Sequence, residues 1–600
     1  MTDDDAPRSV RESLPPMSAA GPGIPPIPAR GLAAWIPGVW VVTHYRRAWL
    51  ARDVVAGLVL TALLVPAGMG YAEAAGLPAI TGLYATVGAL LAYAVFGPSR
   101  IMVLGPDSAL AALIGAAIID RGAGDDPARA VSLAAVLAVA TGLLSVAAGL
   151  VRAGFLTDLL SKPVRVGYMN GIALTVLVSQ LPKLFGFSVK APDLVGGVTG
   201  FARAVADGKT NLVALGIGLA ALVVILAGRA IAPKVPGVLV AVVGATVVVA
   251  ALGLAGRVSV VGVVPRGVPI PRIPDVHLTD VWELFVASLG IALVSFADTS
   301  VLSRTMAGRG RYHVDPNREL VGLGIANVAA GLVGGFPISS SASRTPVAEA
   351  AGSRTQLTGV VGAVAILILL AVAPWLVANL PTAALAAVVI SAALRMFDFG
   401  SVRTFYRVRR SDFALTVVAF FAVAAFGVLQ GIGVAVAMSI LDFVRRAWRP
   451  HDAVLGRAKG VKGYHDVARY PGARQVPGLL LFRWDAPLFF ANADTFRERV
   501  LEEVDGATGL VTWVVVAAEP ITDVDTTAAE MLEELDKELG ARGAELAFAE
   551  MKDPVRDRLE RYGLQRKIGR EFFFPTVGVA VKAFLARHPR EWTDWEDEGG

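Results

Sequence analysis

The stretch that decides the fold begins with SFADTSVLSRTMAGRGR (residues 295–311) and ends with FPISSSASRTPVAEAAGSRTQLTG (residues 336–359). It places the carboxylate of Asp298, the guanidinium of Arg344 and a run of serines among long apolar segments. An ionisable side chain in the hydrocarbon core of a bilayer costs roughly 2.5–3.5 kcal/mol, so such groups usually face a cavity or a partner. We therefore predict a polar site inside a membrane domain. A purely structural ion pair between Asp298 and Arg344 is the alternative interpretation.

Composition supports a membrane domain followed by a soluble one. Hydrophobic residues make up 55% of the 600 residues, more than a soluble protein of this length needs. Charged residues become much more frequent after about Arg445, which predicts a soluble C-terminal domain. The chain has no cysteine, and this excludes thiol catalysis, disulfides and cysteine-bound metals. A formal net charge of +5 gives no reason to expect a nucleic-acid partner.

Hydropathy divides the chain into five parts. Residues 1–37 are rich in proline and predict a disordered tail, and residues 38–449 predict a membrane domain with about 14 spans or part-spans. Residues 450–472 are interpreted as a linker, residues 473–590 as an α/β domain, and residues 591–600 as an acidic tail. The basic loops fall mainly on one side, which places both termini and the soluble domain in the cytoplasm and the spans in the cell (inner) membrane. The basic loop at residues 257–272 violates that assignment.

Two segments look like helices that start inside the membrane. In each, a short extended piece that is broken by glycine and proline precedes a short helix, and the two lie at matching places in two halves of the chain. This pattern is typical of transporters that are built from inverted repeats. The free N–H groups and the positive dipole end of such a helix favour an anion. We place the two helix starts near residues 107–109 and 340–342, and the candidate anion-binding residues are Ser108, Ala109, Ser340, Ser341, Ala342, Ser343 and Arg344.

Asp298 is the candidate residue for coupling to a cation. A carboxylate at this depth can bind H⁺ or Na⁺, and a cation beside an anion lowers the cost of moving either charge. Beyond a possible Na⁺ at Asp298, no metal and no cofactor is predicted. Asp107 has two interpretations: a helix cap, or a group that competes with the anion.

Three segments resemble the signatures of the SulP anion transporters, the bacterial relatives of solute carrier family 26. They are PAGMGYAEAAGLPAITGLYA (residues 66–85), GPSRIMVLGPDSALAAL (residues 97–113) and GLVGGFPISSSASRTPVAEAAGSRTQLTG (residues 331–359). The resemblance implies an all-α domain with a 7+7 inverted repeat, an elevator motion and a homodimer. By motif position it also implies that Asp298 is the coupling residue and that Ser108, Ala109, Ser341, Ala342, Ser343 and Arg344 line the anion site. The glutamine of the first signature is Ala67 here, which leaves the substrate open.

After residue 473 predicted strands and helices alternate, which indicates a mixed sheet with helices. ITDVDTTAAEML (residues 521–532) resembles the loop-to-helix motif of STAS domains, which SulP proteins carry at this end. A hydroxyl at about the place of Thr526 is phosphorylated in STAS domains that regulate sigma factors. Thr526 is therefore either a regulatory site, with a cytoplasmic regulator as partner, or a plain N-cap.

These patterns predict a transporter in the lipid bilayer rather than an enzyme. The leading hypothesis is uptake of a small inorganic anion, sulfate, coupled to H⁺ or Na⁺. Bicarbonate uptake, chloride/bicarbonate exchange and C4-dicarboxylate transport are alternatives within the same family. A membrane-anchored STAS signalling protein is an alternative of a different class.

Overall fold

A computed structural model describes residues 31, 35–118, 126–154, 161–189, 194–231, 237–262, 267–274, 278–310 and 312–592. The predicted N-terminal tail lies almost wholly outside the described residues, and so do residues 593–600 of the predicted acidic tail. The chain divides into two compact units, Met1–Ser439 and Ile440–Gly600. The unit boundary is ten residues before the predicted end of the membrane domain at residue 449.

The first unit is helical. Its described helices are α1 Pro37–Thr43, α2 Leu50–Ala74, α3 Ala79–Phe96, α4 Ser108–Ile118, α5 Pro127–Leu150, α6 Lys162–Leu184, α7 Leu194–Ala206, α8 Leu212–Ile231, α9 Gly237–Ala251, α10 Leu278–Gly310, α11 Pro316–Leu332, α12 Arg344–Ala350, α13 Leu357–Val372, α14 Trp375–Ala378, α15 Thr382–Met396, α16 Phe399–Val408 and α17 Arg410–Phe426. A further helix, α18 Val428–Trp448, begins in the first unit and contains the unit boundary after Ser439. Within the described ranges, six helical stretches are long and apolar enough to cross a membrane, and four shorter apolar helices accompany them. Each predicted apolar run lies on a helix, so the predicted all-α membrane domain is confirmed.

Two Asp-Pro pairs set the starts of long helices. Asp126 caps α5 by accepting hydrogen bonds from the amides of residues 128 and 129, and Asp315 caps α11 by accepting one from the amide of residue 317. In both helices proline occupies the first turn. Backbone N–H groups there have no partner within the helix, so the lack of an N–H in proline costs no hydrogen bond. The sequence thus specifies where these two helices begin.

The two extended pieces form a miniature sheet between the halves of the chain. β1 (Leu104–Gly105) pairs antiparallel with β2 (Ser339–Ser340), with Leu104 opposite Ser340 and Gly105 opposite Ser339. Both strands are buried. This pairing places the start of α4 beside the start of α12, as the predicted arrangement of two half-helices requires.

Close helix packing depends on small residues. A Cβ atom at Gly82 in α3 would overlap the backbone of Gly68 in α2, so these two helices cross with their backbones in contact. In the same way, a Cβ at Gly324 in α11 would lie 2.6 Å from the carbonyl oxygen of Gly142 in α5. The high glycine content of the membrane segments therefore has a direct packing reason.

The second unit contains a six-stranded sheet in the order β4-β3-β5-β6-β7-β8. The strands are β3 Asp452–Arg457, β4 Tyr464–Asp466, β5 Leu479–Trp484, β6 Trp513–Ala517, β7 Glu545–Ala549 and β8 Phe573–Phe574, and the helices are α19 Ala493–Asp505, α20 Thr526–Ala541, α21 Asp553–Arg561, α22 Leu564–Ile568 and α23 Val577–Arg587. Strands β5 to β8 are parallel and β3 is antiparallel to both of its neighbours. The core is built on Trp484, Trp513 and Phe548, none of which is exposed. The predicted α/β domain is confirmed.

The linker prediction is wrong over most of its length. Residues 450–472 include β3 and β4, which belong to the same sheet as β5. The sequence at Asp452–Arg457 alternates weakly in hydropathy, and its charged ends resemble a connector. The sheet therefore begins at Asp452, 21 residues before the predicted domain start at residue 473.

Hydropathy also failed to predict two surface helices, because neither lies in a long apolar run. α16 lies within residues 395–410, which hydropathy indicates as a basic cytoplasmic loop, and α7 lies in a stretch without a long apolar run. In α16 apolar residues recur on one side (Phe399, Val402, Phe405 and Tyr406) and arginines on the other. Helical periodicity, rather than hydropathy, would have identified this helix.

Candidate functional site

A cavity of about 570 Å³ in the first unit contains most of the predicted site. Its walls come from α2, α4, α6, α10, the segment after β2, and α15. The predicted residues that line it are Ser108, Ala109, Asp298, Ser340, Ala342 and Ser343, and further polar or charged residues are Tyr71, Asp107, Lys162, Arg165, Thr305, Arg395 and Asp398.

Buried hydrogen bonds hold the broken segments in place. The side-chain amide of Asn327 donates to the Ile338 carbonyl (3.2 Å), and its oxygen accepts from the Ile338 amide (2.8 Å). The Ser341 amide donates to the Val103 carbonyl at 3.0 Å and extends the contact between the two strands. Because these backbone groups have partners inside the protein, an interrupted helix is tolerated at this depth.

The start of α4 matches the prediction. The Asp107 carboxylate accepts a hydrogen bond from the Ala109 amide at 3.0 Å, which is the capping role that the sequence suggested. The Ser108 hydroxyl contacts the Met396 sulfur at 3.5 Å across the cavity. Asp107 also lines the cavity, so its second interpretation, competition with an anion, stays open.

The second helix starts later than predicted. α12 begins at Arg344, not near residues 340–342. The Ser341 hydroxyl contacts the Ser343 hydroxyl (3.2 Å) and accepts from the Arg344 amide (3.2 Å), which keeps the preceding residues in a turn. Ser341 is buried beside the cavity rather than in its wall, whereas Ser340, Ala342 and Ser343 line it.

Arg344 does not line the cavity that contains Asp298. Its guanidinium Nη2 donates to the Pro106 carbonyl at 2.5 Å, and the side chain borders a neighbouring cavity. The described residues therefore show no ion pair between Asp298 and Arg344, and the structural-pair interpretation is wrong. Arg344 and Asp298 therefore line different cavities, and the anion-binding role of Arg344 stays a prediction.

Three positively charged side chains line the cavity instead. None of them was predicted from the sequence as a site residue. Lys162 and Arg165 are in the first turn of α6, and Arg395 is in the last turn of α15. In the sequence these residues look like ordinary charges at the ends of membrane spans. Only the packing of α6 and α15 against the broken helices shows that they face the site.

Asp298 differs from the other carboxylates of the cavity. Asp107 caps α4, and Asp398 caps α16 by accepting from the Ser401 amide. In the described residues, Asp298 on α10 accepts no hydrogen bond and has no cation within ion-pair distance. It is therefore the carboxylate of this cavity that is free to bind a proton or a metal cation.

The arrangement suits a small anion beside a titratable acid. Three cations, the serine hydroxyls and the amides at the start of α4 can stabilise negative charge. Among the residues that the structure describes, no group of three or more histidine, aspartate or glutamate side chains could hold a metal ion.

Thr526 is not the N-cap of its helix. Asp525 caps α20 by accepting from the Ala528 amide at 2.8 Å, and its other oxygen accepts from the Phe490 amide at 2.8 Å. Thr526 is the first helical residue and is exposed. The capping interpretation of Thr526 is wrong by one position, and its regulatory role stays a prediction.

Sequence comparisons show the family of the chain. The pattern of the family described as "Sulfate permease family" matches residues 50–419, and that of the STAS domain matches residues 470–580. The "Probable sulfate transporter" of Mycobacterium tuberculosis is 42% identical over 562 residues, which cover 94% of this chain and 100% of that protein. Human "Solute carrier family 26 member 6" is 32% identical over 496 residues, 78% of this chain and 65% of that one.

Two solved structures share the fold. The murine solute carrier 26 family member A9 anion transporter, in its inward-facing state, aligns with a TM-score of 0.85 at 22% identity, covering 93% of this chain and 96% of that one. The transmembrane domain of the cyanobacterial bicarbonate transporter BicA aligns with a TM-score of 0.56 at 23% identity, covering 66% of this chain and 98% of that one.

Proposed function

Because the chain belongs to the sulfate permease family, we propose that it is a secondary active transporter that takes up sulfate together with H⁺ or Na⁺. The observation that carries this proposal is the position of Asp298. It lines the same cavity as the start of α4 and the serines after β2, so a cation and an anion can occupy the cavity together.

The choice of sulfate is supported by relatives and by charge. The relative that is 42% identical is named a probable sulfate transporter. The negative charge of a divalent oxyanion can be balanced by Lys162, Arg165 and Arg395. A proton or Na⁺ on Asp298 would neutralise the charge of the one cavity carboxylate that does not cap a helix. The remaining charge in the loaded cavity would then be small.

The broken helices also suggest how the anion moves. We propose an elevator motion in which the segments that carry β1, β2, α4 and α12 move as one body, because the strand pairing and the bonds of Asn327 tie them together. We further propose a homodimer in the cell (inner) membrane, with both termini and the STAS domain in the cytoplasm. Thr526, exposed on α20, is the proposed contact for a cytoplasmic regulator.

Uptake by purified protein in liposomes tests the proposal. We expect labelled sulfate to accumulate when an inward H⁺ or Na⁺ gradient is imposed, and to equilibrate without accumulation when the gradient is absent. Bicarbonate and fumarate are measured in parallel under the same gradients. Accumulation of either of them without accumulation of sulfate would contradict the choice of substrate but keep the transport mechanism.

A shortened chain separates transport from signalling. Protein that ends after Arg449 lacks the α/β unit but keeps the cavity, which lies wholly within the first unit. We expect it to retain measurable uptake. If neither the full chain nor the shortened chain transports any of the three anions, the membrane-anchored STAS signalling protein becomes the better hypothesis.

A further inference from the structure

The short helix α16, which joins α15 to α17, carries aromatic rings and arginines on one exposed side. The residues on that side are separated by three, four or seven positions, so they share one face of the helix. They are Phe399, Arg403, Tyr406 and Arg407, and we call them the outer face of α16. All four are exposed, Phe399 by 71% and Tyr406 by 59%. The outer face therefore presents large apolar rings and positive charges to its surroundings together.

Contacts on another side of α16 fix its orientation. Val402 and Phe405 are half-buried. The ammonium group of Lys162 on α6 lies 5.9 Å from the centre of the Phe405 ring, which is within the range of a cation–π contact. Asp398 caps the helix by accepting from the Ser401 amide at 2.9 Å. These contacts hold the helix in place and leave its outer face on the surface of the first unit.

The positive charges of the outer face are not neutralised by the described part of the chain. Residues 399–410 contain four arginines and no acidic residue. Among the described residues, Arg403 and Arg407 make neither an ion pair nor a side-chain hydrogen bond. Arg409 is the exception in this stretch, because its Nε lies 3.7 Å from a carboxylate oxygen of Asp412. The outer face thus keeps two positive charges that a partner of negative charge could neutralise.

The place of α16 in the chain puts it at the edge of the membrane domain. α15, before it, lies in a stretch that is apolar enough to cross a membrane, and α17, after it, has no charged residue from Phe413 to Phe426. A ten-residue helix between two such segments lies near a bilayer surface. The Tyr406 ring packs edge-on against Phe413 at 5.2 Å, so the apolar surface continues onto α17. Aromatic rings are enriched at this depth of a membrane.

We infer that the outer face of α16 binds anionic phospholipid, with its two rings beside the upper acyl chains and its two arginines on the phosphate groups. A guanidinium can donate two parallel hydrogen bonds to a phosphate, and its aliphatic stem can lie along apolar surface. Each arginine near a membrane surface favours negatively charged lipid by about fivefold. The inference goes beyond the proposed function, because the lipid is not transported and neither Arg403 nor Arg407 lines the transport cavity.

The absence of cysteine from the chain permits a direct measurement of the lipid beside α16. Thr404→Cys places one thiol on an exposed position next to Arg403. Val247→Cys is the matched control, because Val247 is 58% exposed on α9, a helix without charged residues. Each full-length variant is labelled with a bimane fluorophore and reconstituted in vesicles of phosphatidylcholine and phosphatidylglycerol. In separate samples one of the two lipids carries a nitroxide quencher close to its headgroup.

We expect phosphatidylglycerol to quench labelled T404C at least about fivefold more efficiently than phosphatidylcholine does. Labelled V247C should be quenched equally by both lipids. Salt at about 1 M should weaken the preference at T404C, because it shortens the range of electrostatic attraction to about 3 Å. In T404C, Arg403→Gln together with Arg407→Gln should bring the ratio of the two efficiencies close to one. Arg403→Lys together with Arg407→Lys should keep most of the preference.

Three results would overturn the inference. The first is equal quenching of T404C by the two lipids, and the second is a preference that survives the double replacement by glutamine. The third is a T404C label that neither lipid quenches while the V247C label is quenched, because protein or water would then cover the outer face. Gel filtration checks that each variant is folded. Sulfate uptake by the same variants reports separately on the transport proposal, since Asp298 and the start of α4 stay in place.

Discussion

Replacing Asp298 by asparagine should abolish the dependence of anion accumulation on a cation gradient. Asparagine has nearly the same shape but binds neither a proton nor Na⁺ with useful affinity. Asp298 lines the anion cavity and accepts no hydrogen bond from the described residues, so its removal should not disturb the cavity wall. In liposomes with an inward H⁺ or Na⁺ gradient, uptake by D298N should end at equilibrium instead of rising above it. Exchange of internal for external sulfate should continue, because the anion-binding groups remain.

Asp398 supplies the matched control for this experiment. It lines the same cavity, but its carboxylate caps α16 by accepting from the Ser401 amide at 2.9 Å. The side-chain oxygen of asparagine can accept the same bond. We therefore expect the Asp398→Asn variant to keep gradient-driven accumulation. That result would show that coupling is not abolished by the loss of just any carboxylate in the cavity. The coupling role of Asp298 would be contradicted by undiminished accumulation in D298N. It would also be contradicted by an equal loss of accumulation in both variants.

The parts of the fold that the sequence predicted well are those with local causes. Apolar runs gave the membrane helices because burial in lipid requires long uninterrupted apolar segments. The glycine and proline residues before Ser108 and Arg344 indicated interrupted helices because both residue types disfavour a regular helix. Alternating strand and helix patterns indicated the α/β unit. None of these predictions needed knowledge of a distant contact.

The direction of the Arg344 side chain could not be predicted in this way. Its guanidinium is held by the carbonyl of Pro106, and the two residues are 238 positions apart in the chain. They meet only because β1 and β2 pair across the two halves. The sequence correctly placed Arg344 at the broken helix, but the cavity it borders depends on this long-range pairing.

The cations of the transport cavity were missed for the same kind of reason. Arg165 and Lys162 begin α6, and Arg395 ends α15. A charge at the end of a membrane helix usually faces water or headgroups, so its position alone carries no functional signal. Its role becomes visible when α6 and α15 pack beside the start of α4.

A buried carboxylate that does not line the transport cavity has the largest expected effect on stability. Asp53 in the first turn of α2 is 0% exposed. One of its oxygens accepts from the amides of Arg354 and Thr355 and from the Thr358 hydroxyl, at 2.6, 3.1 and 3.1 Å. The other accepts from the hydroxyls of Thr355 and Tyr45, at 2.8 and 3.1 Å. Asp53 thus ties the start of α2 to the segment that leads into α13.

Asp53→Ala should lower the free energy of unfolding by about 3 kcal/mol or more, because buried amides and hydroxyls lose their acceptor. Asp53→Asn should cost about 1 kcal/mol. Its oxygen can face the two amides, which can only donate, while the hydroxyls of Thr355 and Tyr45 can turn and accept from its NH₂ group. Unfolding of purified protein in a mild detergent, followed by tryptophan fluorescence, measures both changes. If the alanine and asparagine variants unfold together, or if alanine is harmless, the hydrogen bonds of Asp53 do not hold α2 and α13 in register, and the packing of small residues along these helices must do so instead.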